Sequence, residues 1–559
     1  MIVGIDMGGT NIDGVIIEDG RIVKSIKKPT DRDNPFAAIY STLKELLVDC
    51  DKSKIERINL STTVSTNAIV ENKTAPVGMI IQSGPGMTYD HLACGQENAF
   101  IKGYIDHRGN VVEELDISEI EDMAEKFTKE GIKACGIVTK FSTRNPQQEI
   151  YIRDILGDRF NTVTMGHTMS GKLNFPRRVY TSYLNCAVHS TFNDFAVNIK
   201  RALEKEGIDA PIFILKADGG TMTINSAEEK PVETILSGPA ASFMGINALL
   251  PSDKDAILLD IGGTTTDIFF LADGIPLFEP LGIKIREYNT LVRSIYSLSV
   301  GLGGDSSIDI IDSNISIGPK REGKPYAFGG PKPTPTDAMI TLELISYNEK
   351  HKDRANESMA ELGEKLDLSV EETANLILET MGKMIKDKVD ELLEEINSHP
   401  VYTIKELLYG KKLEPKLINV IGGPAKILAP ILEKTLDLPC NYPSNYLVAN
   451  AVGAALARPT MEITMHVDTS KKVLSVPELE LYEKVSSRFN LEMAKEKALS
   501  LVRENAKSIG ITSGNVDAEI TEESSFNMVK GFYTSGKDIR VKAQIKPGLI
   551  EELRGDINA

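Results

Sequence analysis

The stretches Asp6-Met7-Gly8-Gly9-Thr10-Asn11-Ile12-Asp13 and Asp260-Ile261-Gly262-Gly263-Thr264-Thr265-Thr266-Asp267 share the pattern D-x-G-G-T-x-x-D. Glycine takes up positive φ and lets a ligand approach the backbone, so consecutive amides and the hydroxyls of Thr264 and Thr265 can converge on a phosphate. A carboxylate at the strand end, Asp260, is then placed to hold the cation that phosphates bring with them. One Gly-Gly-Thr tip is equally an ordinary turn. Two copies in matching strand contexts, about 250 residues apart, imply a duplicated fold with a nucleotide between its halves.

The elements that must position these residues are legible around them. In Ala256 to Glu279 an apolar run ends at Asp260, and a second run, an Asp273-Gly274 turn and a third run follow Asp267. That order predicts a β-meander with a polar loop at its first tip. Residues 2–26 repeat it. Ile58 to Glu71 passes from strand to helix through a loop crowded with Ser61, Thr62, Thr63, Ser65, Thr66 and Asn67, a mixture of N-capping and ligand-facing groups. Glu233 to Leu250 and Tyr446 to Ala457 are helices with small faces that allow close approach, and they read as a pair at a hinge. Ile418 to Leu428 predicts a strand feeding Gly422, Gly423 and Pro424, where an adenine or ribose can pass over bare backbone.

Other segments are plainer. Gly301 to Ser307 is a Gly-rich turn, and Ile317 to Asp337 predicts an ordered loop over the cleft. Tyr104 to Leu115 predicts a hairpin whose turn residues His107 and Arg108 face either substrate or solvent. Asp353 to Asn397 predicts a solvated helical subdomain. From residue 460 onward the spacing predicts one helix over about 477–509 and strands over 516–520, 525–533 and 539–545, a small α+β domain.

Composition sets bounds on function. A chain of 559 residues is too long for one core. Its net charge of −17 argues against nucleic acid or an anionic membrane surface as the main partner. No run of 18 apolar residues occurs and the first apolar stretch is broken at Asp6, so a cytoplasmic location is expected. The five cysteines are odd in number and scattered, which disfavours a disulfide framework. There is no H-E-x-x-H and no P-loop, so phosphate handling must use another scaffold.

The order of parts, loop one, small-faced helix, loop two, I-G-G-P turn and second small-faced helix, resembles the phosphate-1, connect-1, phosphate-2, adenosine and connect-2 series of the actin, Hsp70 and sugar kinase superfamily. Within it the chain is similar to the hydantoinase A/5-oxoprolinase family, which includes N-methylhydantoinase A-like proteins and acetone carboxylase beta subunits. The resemblance is carried by GIDMGGTNIDGVI, STTVSTNAIVE, YIDHRGNVVEELD, KPVETILSGPAASFMG, LLDIGGTTTDI, SVGLGGDSS, PTPTDA and NVIGGPA, together spanning about 450 residues.

This resemblance implies an α/β chain with two ribonuclease-H-like (actin/Hsp70-type) lobes around a nucleotide cleft, plus the small C-terminal α+β domain. The expected divisions are 1–175, 176–459 with a helical subdomain at about 340–410, and 460–559. ATP and Mg2+ would lie between the lobes. Asp6 and Asp260 would hold the metal, directly or through water. Gly8, Gly9, Thr10 and Asn11 on one side, with Gly262, Gly263, Thr264 and Thr265 on the other, would grip phosphates, and Gly422, Gly423 and Pro424 would take the adenosine. Asp13 and Asp267 would either orient the attacking group or close the turn with a hydrogen bond.

The implied activity is that of an ATP-dependent amidohydrolase subunit. It would phosphorylate and activate a cyclic amide or related carbonyl for ring opening, with a hydantoinase B-type partner subunit supplying the hydrolytic step and a homo-oligomer as a further possibility. An ATPase switch that activates a partner enzyme and a small-molecule kinase are the alternatives. The sequence departs from the family at Leu60-Ser61, where His-Gly is common, and at Ala217-Asp218, where Ser-Asn is common. Both positions are expected near the substrate.

Overall fold

The computed structural model describes residues 1–31, 35–87, 89–279, 281–398, 412–509, 511 and 516–554. Two sheets share one topology. In the first, Ile2–Met7, Asn11–Glu18 and Arg21–Pro29 form an antiparallel meander. On its other flank Ile2–Met7 runs parallel to Arg57–Thr62, which runs parallel to Ile212–Leu215, and Thr221–Thr223 closes the edge. The second repeats the scheme with Ala256–Ile261, Thr266–Ala272 and Ile275–Pro276, then Leu417–Ile421 and Cys440–Asn441 in parallel. Counted within each half, the strand order is 3-2-1-4-5, the ribonuclease-H arrangement. Both lobes are α/β, with first strands that are apolar almost throughout because both faces are covered.

Sheet membership runs across the expected division at 175/176. Parallel pairing of Ile212–Leu215 with Arg57–Thr62 needs a long crossover. The 31-residue helix Phe175–Lys205 supplies it, packing Phe192, Phe195, Ile199 and Leu203 into the core of the first sheet. A separate parallel sheet, in the order Thr162–Met165, Ala134–Thr139, Val77–Gln82, Glu97–Phe100, is inserted in the first half.

Helices Ser237–Leu249 and Ala449–Leu456 lie between the lobes and share a core with Val15 and Leu215 of one sheet and Leu258 and Phe269 of the other. Their small faces are forced by contact. A Cβ on Gly245 would stand 2.1 Å from the Ala449 carbonyl oxygen, and one on Gly453 would stand 2.1 Å from that of Ala241. The pairing expected of these helices is present.

Helices Glu349–Leu366 and Val370–Ser398 form the helical subdomain. Their outer faces are charged, but Met359, Leu362, Ile377, Met381 and Ile385 complete the core of the second lobe, so the subdomain is one wall of that lobe rather than a solvated appendage. The part of its expected span at 399–411 lies outside the described residues.

The C-terminal domain is a five-stranded antiparallel sheet, ordered Leu481–Lys484, Val473–Val476, Glu462–Asp468, Tyr533–Ile545, Ala518–Lys530, under one helix. That helix spans Leu491–Ala506, shorter than expected, because the Asn490 side chain caps it by accepting from the Met493 amide. The segments expected as three strands form the two long arms of one hairpin. The hairpin expected at 104–115 is present as Tyr104–Ile105 and Val111–Glu113.

Candidate functional site

The two D-x-G-G-T-x-x-D loops close in the same way: the Gly8 amide donates to the Asn11 carbonyl at 3.0 Å and the Gly262 amide to the Thr265 carbonyl at 2.9 Å. In each hairpin the two aspartates are cross-strand partners, Asp6 opposite Asp13 and Asp260 opposite Asp267. Directly opposed residues point to one face of a sheet, so each loop carries a carboxylate pair beneath it.

The four carboxylates differ in environment. Asp6 is 5% exposed, and burial, followed by the neighbouring charge of Asp13, pushes its carboxyl up to about 7; the Asp260 charge adds to this across the cleft. Its Oδ1 is buried and accepts no hydrogen bond from any described residue. Asp260 is anchored by both inter-lobe helices. Ser242 Oγ donates to its Oδ2 at 2.6 Å, and Asn450 Nδ2 to the same oxygen at 3.2 Å. Asp13 is raised by burial, against which the Lys27 ammonium works from 2.8 Å. Asp267 is pushed up to about 7 by burial and then by the Asp260 charge.

Asp6 and Asp260, one from each half, are therefore within electrostatic reach of each other, and one buried oxygen of Asp6 lacks a partner. Such an atom in a folded protein calls for a ligand, water or ion. Among the described residues no three His, Cys, Asp or Glu side chains form a metal cage. That donor set fits a hard, strongly hydrated cation such as Mg2+, held by one or two carboxylates together with waters and substrate phosphates.

Loop two is braced by a turn whose role the sequence did not disclose. Gly304 and Asp305 donate their amides to the carbonyls of Gly262 and Gly263 at 3.0 and 2.7 Å. A Cβ on Gly303 would stand 2.6 Å from Gly263 C and Thr264 N. Arg321, in the loop expected over the cleft, pairs with Asp305 at 2.7 Å and donates to Thr264 Oγ1 at 3.1 Å. At Gly422, φ is +95°, and a Cβ there would lie 2.7 Å from Asp260 Oδ1. The Gly422-Gly423-Pro424 turn thus packs directly on the second aspartate. Cβ atoms on Gly9 or Gly423 would meet nothing within 4 Å, so both loops have open space at these positions.

Ser242, Asn450, Lys27 and Arg321 were missed by sequence reasoning, although the stretches SGPAAS and PTPTDA around this site were noticed. Of the loop at 61–67, Ser61 Oγ donates to the Ser237 carbonyl at 3.3 Å and sits close enough to Asp6 to work against the rise in its pKa, while Thr62 and Ser65 are tied to Ser237 and Thr234. Arg108 does not face the cleft: its guanidinium donates to Ser470 Oγ at 2.8 Å, docking the hairpin on the C-terminal domain, and His107 is exposed.

The hydantoinase/oxoprolinase family model matches residues 178–463, and the hydantoinase/oxoprolinase N-terminal region model matches residues 2–160. The acetophenone carboxylase gamma subunit of Aromatoleum aromaticum is 24% identical over 398 residues, 62% of this chain and 53% of that protein. Four curated relatives are spanned over only 31% to 64% of their own length. Among solved structures, nucleotide-free acetone carboxylase superposes with a TM-score of 0.71 at 16% identity, over 98% of this chain and 87% of that one. The ATP-dependent caprolactamase from Pseudomonas jessenii gives 0.69 at 18% identity, over 97% and 87%. At these identities the two structures bear on the fold alone.

Proposed function

The chain belongs to the hydantoinase/oxoprolinase family, and from that premise we propose that it binds ATP with Mg2+ between its two hairpin loops and uses it to activate a cyclic amide or related carbonyl compound. The γ-phosphoryl group passes to the carbonyl oxygen: one O–P bond forms, the β–γ bridging P–O bond breaks, and ADP leaves. The carbon bearing the phosphorylated oxygen is then open to water or another nucleophile, with phosphate as the leaving group.

The observation that carries this reading is the pair of opposed carboxylates, Asp6 with its unpartnered buried oxygen and Asp260 held by Ser242 and Asn450. Mg2+ held there would neutralise phosphate charge in the transition state. The chain's own residues do the rest. Amides of residues 8–11 and 262–265 position the phosphates, and phosphoryl transfer depends on such positioning more than on covalent chemistry. Gly422, Gly423 and Pro424 offer the adenosine a flat surface beside Asp260. Asp267, held near 7, is the carboxylate suited to take the proton from the amide nitrogen as its carbonyl oxygen attacks. The substrate is a small molecule. A hydantoinase B-type subunit is the proposed partner for ring opening, in line with the carboxylase subunit among the relatives. Among the described residues no helix is long and apolar enough to cross a membrane.

The test is ATP hydrolysis by the purified chain with Mg2+, scanned against hydantoin, N-methylhydantoin, 5-oxoproline, simple lactams and ketones, with Asp260→Ala as control. Stimulation by one of these compounds, lost in the variant, is expected. A rate indifferent to every carbonyl, with and without a B-type subunit, would sink the reading.

A further inference from the structure

A cavity of about 280 Å3 opens where the first sheet meets the C-terminal domain. Lys216 and Asp218, from the turn after strand Ile212–Leu215, Glu233 and Arg293 line it, with Glu462 and Glu478 from the C-terminal domain. Strand Ile212–Leu215 runs parallel to Arg57–Thr62 with Ile214 opposite Leu60, and Met7 lies opposite Thr62. Lys216 therefore emerges at the same edge and level as the first phosphate loop, two strand spacings or about 10 Å away. Ligands of open α/β sheets bind at this carboxyl edge.

The charges in the cavity are not equally satisfied. Glu478 accepts from the amides of Gly171 at 2.8 Å and Thr464 at 3.2 Å, and Glu462 pairs with Lys542 at 2.9 Å. Lys216 and Asp218 are 8% and 6% exposed, yet the Lys216 ammonium stands 3.4 Å from Asp218 and 3.6 Å from Glu233. Both distances exceed the roughly 2.7–2.9 Å of a charge-assisted hydrogen bond. The Arg293 guanidinium lies 4.3 Å over the Phe278 ring and donates through Nη1 to Gln544 and, at 3.4 Å, to Glu462, while its Nη2 and Nε donate to no described residue. Two cations whose carboxylate pairings are all 3.4 Å or longer thus share the space with Glu233, a carboxylate whose one ion pair is 3.6 Å long.

We propose that this cavity binds a small zwitterion with one carboxylate and one ammonium group, an amino acid, its carboxylate between Lys216 and Arg293 and its ammonium at Glu233. The identity of the step rests on the function proposed above. When water opens a cyclic amide, the C–N bond breaks, the carbon becomes a carboxylate and the nitrogen an ammonium, so the ring-opened product carries both charges. A lone anion does not suit a wall in which carboxylates outnumber cations. The C-terminal domain then has a role, since Thr460, Met461, Glu462 and Glu478 close one side of the site.

The test is calorimetric titration of the full chain, without nucleotide, using 4-aminobutanoate, 5-aminopentanoate and 6-aminohexanoate, with butanoate and butylamine as single-charge probes. At least one amino acid should bind about tenfold or more tightly than both probes, and Lys216→Met and Glu233→Gln should each lose about tenfold or more at unchanged melting temperature. If Lys216→Met unfolds, Glu233→Gln, half-buried and isosteric, decides. No preference over the single-charge probes, or wild-type binding by Glu233→Gln, overturns the assignment. Amide-stimulated ATP hydrolysis without amino acid binding removes this site alone, whereas amino acid binding without stimulation removes the proposed reaction and leaves the site.

Discussion

Lys27 Nζ stands 2.8 Å from both carboxylate oxygens of Asp13, and among the described residues no cation takes the equivalent place beside Asp267. The duplication is thus asymmetric at the positions that the pattern makes equivalent. Lys27 also donates to the Leu447 carbonyl at 2.9 Å, so Asp13 belongs to a strut running from the first lobe to the start of the second inter-lobe helix. Asp267 is held near 7 with no counter-ion and is the one free to move a proton.

Asp267→Asn should therefore lower substrate-stimulated ATP hydrolysis by about 10²–10⁴-fold with little change in ATP affinity. Asp13→Asn should cost less than about tenfold in rate but about 1–3 kcal/mol in stability, because it strands a part-buried ammonium. Steady-state rates and denaturant melts of the two variants separate these outcomes. Equal rate losses in both would show that the halves act symmetrically.

Ser242 is 1% exposed and its 2.6 Å hydrogen bond to Asp260 is charge-assisted. Ser242→Ala should leave the helix packed and the chain folded, while Asp260 loses its closest donor. The expected effect is about a 10–100-fold rise in the Mg2+ concentration needed for half-maximal ATP hydrolysis. A purely structural serine would shift the melting temperature and leave the Mg2+ dependence alone.

Much of this site was legible because its signal is local. Asp6 to Asp13 and Asp260 to Asp267 are each one hairpin, and alternation of strand, Gly-Gly-Thr tip and strand is fixed by neighbours in sequence. The groups that tune the carboxylates are not local: Asn450 reaches Asp260 across 190 residues and Arg321 reaches Thr264 across 57. Nothing in their own windows marks them. The C-terminal helix begins later than its spacing predicts for another reason. In Pro477 to Lys484, PELELYEK, the apolar residues alternate with period two, which the helical spacing of the following segment masked. The cavity at Lys216 is assembled from stretches scattered between residues 169 and 509, of which the sequence marks only Ala217-Asp218 and the segment around Glu233.

The inter-lobe helices offer a test of packing against ligand access. A Cβ on Gly453 would lie 2.1 Å from the Ala241 carbonyl oxygen and 2.4 Å from Gly245 N, both backbone atoms that cannot rotate away. Gly453→Ala should cost about 3 kcal/mol or more, measured by denaturant unfolding. Gly9→Ala adds a methyl group that meets nothing within 4 Å. It should unfold like the wild type yet bind ATP more weakly, since the methyl group occupies space a phosphate needs. A destabilised Gly9→Ala would mean that the loop packs against something other than nucleotide.

Without metal or nucleotide, the buried carboxyl of Asp267 also makes stability depend on pH. Its folded pKa of about 7 lies above the ordinary aspartate value. Between those two values the folded chain holds a proton that the unfolded chain has lost, so stability is fully present below about pH 4 and falls as pH rises through 7. Asp267→Asn cannot ionise and should remove its share of this limb, leaving that of Asp6. In chelator-treated protein the variant should match the wild type within error at or below about pH 4 and exceed it increasingly as pH rises, by about 1–3 kcal/mol at pH 8. Urea unfolding across that range measures it. A wild type and variant whose stability profiles run parallel from pH 5 to 8 would show that Asp267 ionises as freely as a surface aspartate, and would remove it as the proton acceptor.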